Sequence, residues 1–203
     1  MTEEKPKLGA REKSWVESLV KPLAESLGSN TSLEVRTSYR LPYRYEIHCY
    51  EGGSLTPVKH KIAGYQTDLL ILERISGGWI PRVVIECKIG NVTTHDALTY
   101  SAKAATHRHV HPYLRYGILI GEMSCVPSRI IHHGTQFDFM AAWPAAKASA
   151  AEWTAFVGVL KDEVDASRVL QQLMERHSHT LIHRPLVLLL AKTSTQKPSR
   201  QQA

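Results

Sequence analysis

The stretch that decides the fold reads TDLLILERISGGWIPRVVIECKI and covers residues 67–89. Two apolar runs, Leu69–Leu72 and Val83–Ile85, lie on either side of a glycine-containing turn. This pattern predicts two strands, at 67–75 and 81–89, joined as a hairpin. Continuous apolar strands are usually buried on both faces, so the stretch indicates a sheet with helices on either side.

Three charged residues interrupt these apolar strands. Asp68 begins the first strand, and Glu86 and Lys88 share one face of the second. A hairpin brings Asp68 close to Glu86, where two carboxylates repel each other. A divalent cation that prefers hard oxygen ligands, such as Mg²⁺, would remove that repulsion. The alternative is a set of surface ion pairs at strand ends.

The register of the hairpin decides whether the two carboxylates meet. A two-residue loop at Gly77–Gly78 would set Asp68 opposite Cys87, on the wrong face for Glu86. A shared site therefore requires an odd-length loop or a β-bulge. Pro81 is the expected bulge position because it cannot donate a ladder hydrogen bond. We expect Asp68 and Glu86 on one side, with the Cys87 side chain behind them as a small buried hydrophobe.

The segments Thr67–Ile71 and Val84–Lys88, with the glycine turn between them, resemble the core motif of the PD-(D/E)xK nuclease superfamily. That superfamily includes type II restriction endonucleases, repair nucleases and junction resolvases. Thr67 stands where the motif name has Pro. The first helix adds to the resemblance, because Glu17 is followed by apolar residues and a closing glycine, and the resemblance implies that Glu17 contacts the metal directly, through water or at a second metal. Alternatively, Glu17 forms a capping box with Ser14.

The resemblance also implies roles for the residues of the hairpin. Asp68, Glu86 and the backbone carbonyl of Cys87 would hold Mg²⁺, with Mn²⁺ as a substitute, against the scissile phosphate. The metal would stabilise the charge that builds on the phosphate and lower the pKa of a bound water. Lys88 would orient that water or help to deprotonate it.

Candidate DNA contacts lie before and after the motif. On the helix that follows it, Tyr100, Lys103 and His107 share one face, which such nucleases often place beside the active site. The basic residues proposed as phosphate contacts before the core are Arg44, Lys59 and Lys61, with tyrosines interleaved among them. For both groups the alternative is a solvated surface, on the helix or at a strand edge.

The remaining pattern predicts one α/β domain. The expected helices lie at about 11–27, from 93 to about 107 and within 150–177, and the further strands at 33–36, 43–50, 116–121 and 137–143. This order indicates a mixed β-sheet flanked by helices, restriction-endonuclease-like by resemblance. We expect the nuclease domain to span 11–192, with flexible ends at 1–10 and 193–203.

Composition limits the classes of protein to consider. Of 203 residues, 43% are hydrophobic, which excludes wholesale disorder or a collagen. The 25 Lys and Arg against 19 Asp and Glu give a net charge of +6, which favours an anionic partner. Three widely spaced cysteines exclude a disulfide scaffold. The absence of a long apolar run and of a secretory signal predicts a cytoplasmic protein with no membrane association.

The sequence and its resemblance together lead to one functional expectation with two alternatives. The expectation is a Mg²⁺-dependent DNA endonuclease, a type II restriction enzyme that acts as a homodimer because a palindromic site has two strands to cut. One alternative is a repair or mobile-element nuclease with structure-specific cleavage. The other is a DNA-binding module that keeps the nuclease scaffold and does not cut.

Overall fold

The computed structural model describes residues 8–28 and 32–175, in which five strands form one mixed sheet between two layers of helices. The elements in chain order are α1 (Leu8–Leu27), β1 (Leu33–Tyr50), β2 (Pro57–Ile75), β3 (Gly78–Ile89), α2 (Thr94–Val110), β4 (Arg115–Gly121), α3 (Ser128–His133), β5 (Phe139–Trp143) and α4 (Ala150–Glu175). The strand order is β1-β2-β3-β4-β5, antiparallel from β1 to β3 and parallel from β3 to β5. The predicted mixed α/β domain is confirmed.

The two faces of the sheet carry separate cores. Ile85 and Cys87 of β3 belong to the core under α1 and α4, whereas Val84 packs with Tyr116 in the core under α2. Successive residues of a strand face opposite sides. Glu86 therefore lies on the α2 side of the sheet, as does Lys88, and Cys87 lies on the other side.

Helix α1 packs through the apolar stripe that its spacing predicts. The buried side chains of this stripe are Trp15, Val16, Leu19, Leu23 and Leu27. The helix begins at Leu8, earlier than predicted, so residues 8–10 are helical rather than part of a loose end. It runs through the exposed Pro22 and ends at Leu27, followed by Gly28 with a φ of +107°, a conformation that glycine adopts without strain.

Helix α2 connects the parallel strands β3 and β4. The Thr93 hydroxyl accepts a hydrogen bond from the Asp96 N–H, and the Asp96 carboxylate accepts one from the Thr93 N–H. This reciprocal capping box is the helix start that the sequence predicts. The helix packs on the face of the sheet that carries Glu86, where its Ala104 lies in one core with Val84 and Tyr116.

The antiparallel pair β1–β2 is much longer than predicted. The strands expected at 33–36 and 43–50 are parts of one strand, and β2 begins at Pro57 rather than at Thr67. Residues 42–50 and 57–64 pair only with each other and form a two-stranded extension, which we call the ribbon. Tyr45, Ile47 and Cys49 alternate with polar residues, which is the pattern of a half-buried strand, yet these side chains are exposed, as are most others of the ribbon.

Some sequence expectations fall outside the described residues. These are the loose ends at 1–7 and 193–203, and the stretch 176–192 of the expected domain. Helix α3 was not predicted. None of the helices in the described part of the chain is long and apolar enough to cross a membrane.

Candidate active site

A β-bulge in the β2–β3 hairpin sets the register of the site. The hairpin turns tightly, with Ile75 opposite Gly78 and Leu72 opposite Pro81. The register then shifts, so that Ile71 faces Val83 and Leu69 faces Ile85. The predicted bulge is confirmed, although the turn lies at Ser76–Gly77 instead of Gly77–Gly78, and the extra residue is Arg82, next to the expected Pro81.

The bulge brings the two predicted carboxylates together. One step beyond the pair Leu69–Ile85, the register places Asp68 opposite Glu86, so both lie on the same face of the sheet. The Cys87 side chain is fully buried on the opposite face, as predicted. The insertion of one residue in β3 therefore turns a register that would separate these groups into one that joins them.

Asp68 lies one residue beyond the end of the paired region of β2 and β3. Its Oδ2 accepts a hydrogen bond of 2.8 Å from the backbone N–H of Cys87. In a continued antiparallel ladder, that N–H would bond the backbone of β2 instead. The N–H and C=O of one strand residue point to the same side, so the Cys87 carbonyl also points toward Asp68.

Glu86 is a buried carboxylate with two polar partners. Only 1% of its surface is exposed. Oε1 accepts a hydrogen bond of 2.5 Å from the Tyr116 hydroxyl, and Oε2 lies 3.5 Å from Lys103 Nζ. Burial, together with the nearby charge of Asp68, raises the pKa of Glu86 to about 7, although Lys103 and Tyr116 act in the opposite direction.

Lys88 is paired with Glu12, which is not among the residues that the sequence predicts for the site. Its Nζ lies 3.3 Å from Oε1 of Glu12, and Oε2 of Glu12 accepts a hydrogen bond from the Ile89 N–H. Burial alone would lower the pKa of Lys88, but the hydrogen bond with Tyr100 and the charge of Glu12 outweigh it and hold the pKa well above its usual value. Lys88 is therefore a protonated cation at neutral pH.

Glu17 lies outside the site formed by Asp68, Glu86 and Lys88. Its exposed carboxylate lies 4.0 Å from Lys13 Nζ, one helical turn earlier. Since α1 begins at Leu8, Glu17 is also not at the helix start, and the alternative role in a capping box with Ser14 does not apply. The prediction that Glu17 reaches the site is wrong, and Glu12 is the residue of α1 that contacts it.

A signal for Glu12 was present in the sequence. Glu12 precedes Trp15, Val16 and Leu19 by three, four and seven residues, so it shares the buried stripe of α1. Glu17 follows Val16 directly and falls outside that stripe. A charged residue in phase with an apolar stripe points toward the sheet, and this criterion selects Glu12.

Tyr100 and Lys103 on α2 both face the site, as predicted. The ammonium groups of Lys88 and Lys103 lie 5.4 and 4.9 Å from the centre of the Tyr100 ring. Burial raises the pKa of Tyr100 to about 12, so its hydroxyl stays protonated. His107, by contrast, is fully buried with Nε2 3.2 Å from the Leu41 carbonyl oxygen, and cannot face a phosphate.

Arg44, Lys59 and Lys61 are not part of this cluster. All three side chains are exposed on the ribbon, where Arg44 pairs with Glu46 at 3.1 Å and Lys61 lies opposite Glu46 in the strand register. At about 3.3 Å per residue, Lys61 is about 23 Å along β2 from Asp68. Any role in binding would involve a part of the ligand remote from the carboxylates.

The oxygen atoms of the site suit a hard divalent cation. Within residues 8–28 and 32–175, no three His, Cys, Asp or Glu side chains lie together in a metal-binding arrangement. The donors are thus two carboxylates, Asp68 and Glu86, and the Cys87 carbonyl that points to the same place. Mg²⁺ commonly binds through one or two carboxylates and keeps several waters, so this sparse set fits it.

Comparisons with known proteins do not assign the chain to a family. No family model matches it, and a search of curated proteins finds no match.

Proposed function

We propose that this protein is a metal-dependent nuclease of the PD-(D/E)xK type that hydrolyses phosphodiester bonds in DNA. The observation that carries the proposal is the juxtaposition of Asp68 and Glu86 on one sheet face, produced by the bulge at Arg82, with Lys88 beside them. A buried carboxylate next to a second carboxylate is costly without a cation.

The residues present fit Mg²⁺ or Mn²⁺ held by Asp68, Glu86 and the Cys87 carbonyl. When bound, such an ion supplies Lewis-acid stabilisation of the phosphate and a more acidic water. Lys88, held protonated by Glu12 and Tyr100, contributes a fixed positive charge that orients the attacking water and stabilises charge on the phosphate. We infer that Lys88 acts through its charge and not as a general base.

In this proposal the ribbon supplies the basic surface that binds DNA. Arg44, Lys59 and Lys61 are exposed and belong to an extension of the sheet in which β1 and β2 pair only with each other. A two-stranded β-ribbon fits the major groove of duplex DNA, and exposed Lys and Arg provide affinity that is independent of sequence. We propose that DNA runs from the ribbon to the carboxylate cluster.

Within this class we favour a sequence-specific endonuclease of the restriction type that acts as a homodimer. Two active sites related by a two-fold axis would cut both strands of a palindromic duplex site.

Cleavage of mixed plasmid and phage DNA tests the proposal. The purified protein is incubated with Mg²⁺, Mn²⁺ or EDTA, beside the Asp68→Asn and Glu86→Gln variants, which keep side-chain size and remove one charge. Discrete fragments with metal alone support the restriction type, and a smear supports a nuclease without sequence specificity. Cleavage by both variants at the wild-type rate, or in EDTA, would overturn the proposal, and DNA binding without cleavage would favour the non-cutting module.

A further inference from the structure

Two lysine–glutamate pairs lie close to the Tyr100 ring. Lys88 Nζ is 3.3 Å from Glu12 Oε1, and Lys103 Nζ is 3.5 Å from Glu86 Oε2. The two glutamates differ in what they contact besides their lysines. Glu12 hydrogen-bonds the end of β3, whereas Glu86 is one of the two carboxylates that face each other.

We propose that Lys103 is the internal counter-ion of Glu86, and that it gives up this carboxylate when a divalent cation binds and then contacts a DNA phosphate. This inference rests on the proposed function and assigns Lys103 a part in coupling metal binding to DNA binding.

The burial of Glu86 explains why a counter-ion is needed without metal. An ionised carboxylate that is 1% exposed is unfavourable unless it is paired. Tyr116 donates a hydrogen bond to it but brings no charge. Among the described residues, the cation paired with Glu86 is Lys103.

Lys103 is held loosely enough to leave. Apart from Glu86, its ammonium lies against two aromatic rings, with ring centres 4.9 Å away for Tyr100 and 5.9 Å for Tyr65. Ring faces bind a cation weakly in a solvated site. The Lys103 side chain is 22% exposed, and its four-carbon stem can carry the ammonium outward without moving α2.

The charges of the cluster give the direction of the change. Lys103 pairs with Glu86 and Lys88 with Glu12, while Asp68 accepts its hydrogen bond from a backbone N–H. A divalent cation held by Asp68 and Glu86 places two positive charges beside the single positive charge of Lys103. The ammonium nearest the metal site is then repelled, and the site as a whole attracts a phosphate.

Metal titration without DNA is the first test. Mg²⁺ binding is measured by calorimetry at about pH 9 for the wild type, Lys103→Met and Lys103→Arg. Because Lys103 competes with the metal for Glu86, Lys103→Met should bind Mg²⁺ about tenfold more tightly than the wild type. Lys103→Arg keeps the charge and should bind like the wild type. Equal or weaker binding by Lys103→Met, with unchanged circular dichroism, would overturn the inference. If that variant does not fold, Lys103→Gln replaces it under the same criterion.

DNA binding with and without metal is the second test. Duplex affinity is measured in EDTA and in Ca²⁺, which takes oxygen ligands and replaces Mg²⁺ to slow cleavage. The wild type should gain affinity with Ca²⁺, Lys103→Met should lose most of that gain, and Lys59→Met should weaken binding equally in both conditions. A full gain in Lys103→Met refutes the release of Lys103. A wild type that binds neither metal nor DNA refutes the proposed function itself, and with it this inference.

Discussion

The carboxylate of Glu12 accepts hydrogen bonds from Lys88 Nζ and from the Ile89 N–H, each at 3.3 Å. A residue in the second turn of α1 thus holds the charged end of β3. The Ile89 N–H points to the same side as the Cys87 N–H, which bonds Asp68. The edge of β3 that β2 leaves open is therefore covered by two carboxylates, one from a strand and one from a helix.

We expect Glu12 and Glu17 to differ sharply on substitution. Glu12→Ala removes the partner that orients Lys88 and should lower the cleavage rate by about 10- to 100-fold. Glu17→Ala removes an exposed ion pair and should stay within about twofold of the wild type. Steady-state cleavage of a plasmid measures both, and equal rates for the two variants would contradict the placement of Glu12.

A cross-strand disulfide tests the register without reference to activity. Asp68→Cys combined with Glu86→Cys places two cysteines on one face of the sheet, one step beyond the paired residues Leu69 and Ile85. Oxidation should form this bond, which peptide mass spectrometry would locate. The matched control is Asp68→Cys alone, which should not link to the native Cys87 because that side chain lies on the other face. A 68–87 disulfide in the control would show that the register is shifted by one.

The stability of the metal-free protein should depend on Glu86 and pH. The pKa of Glu86 is raised from its usual 4.5 to about 7, so its ionised form is disfavoured in the folded state. The free-energy cost of ionising Glu86 in the folded protein is absent below about pH 4.5, grows between pH 4.5 and pH 7, and is complete above about pH 7. Glu86→Gln should therefore be more stable than the wild type at pH 8, by roughly 1–3 kcal/mol, and lose this advantage at pH 4.

Denaturant unfolding in EDTA at pH 4 and pH 8 measures this difference. Added Mg²⁺ should stabilise the wild type at pH 8 and have little effect on Glu86→Gln, because ligand binding stabilises only a state that binds it. A stability difference between the two proteins that does not change with pH would contradict the burial of an ionised Glu86.

The salt dependence of DNA binding should locate the phosphate contacts. Each phosphate contact contributes about 0.9 to the slope of log K against log salt, so the double substitution of Lys59 and Lys61 by Ala should reduce the slope by up to about 2. Lys161→Ala, on the exposed surface of α4 across the sheet, is the matched control and should leave the slope unchanged. An unchanged slope in the double variant would remove the ribbon from the DNA interface.

Local sequence determined much of the fold and the main site residues. The apolar runs of β2 and β3, the stripe of α1 and the Thr93–Asp96 capping box are short-range patterns, and each forms the element it predicts. Residues two apart on a strand share a face, so Glu86 and Lys88 could be placed on the same face of β3 without any tertiary information. Alternation likewise placed Cys87 behind them.

Tertiary structure decided which residues complete the site. The partner of Lys88 depends on how α1 docks against the end of β3, and the Tyr116–Glu86 hydrogen bond depends on the parallel register of β3 and β4. The length of the ribbon depends on cross-strand pairing between residues that are mostly exposed, and the local sequence did not predict that β2 begins at Pro57. These relationships join residues far apart in the chain, and their free energy comes from contacts that exist only after the sheet and helices have packed.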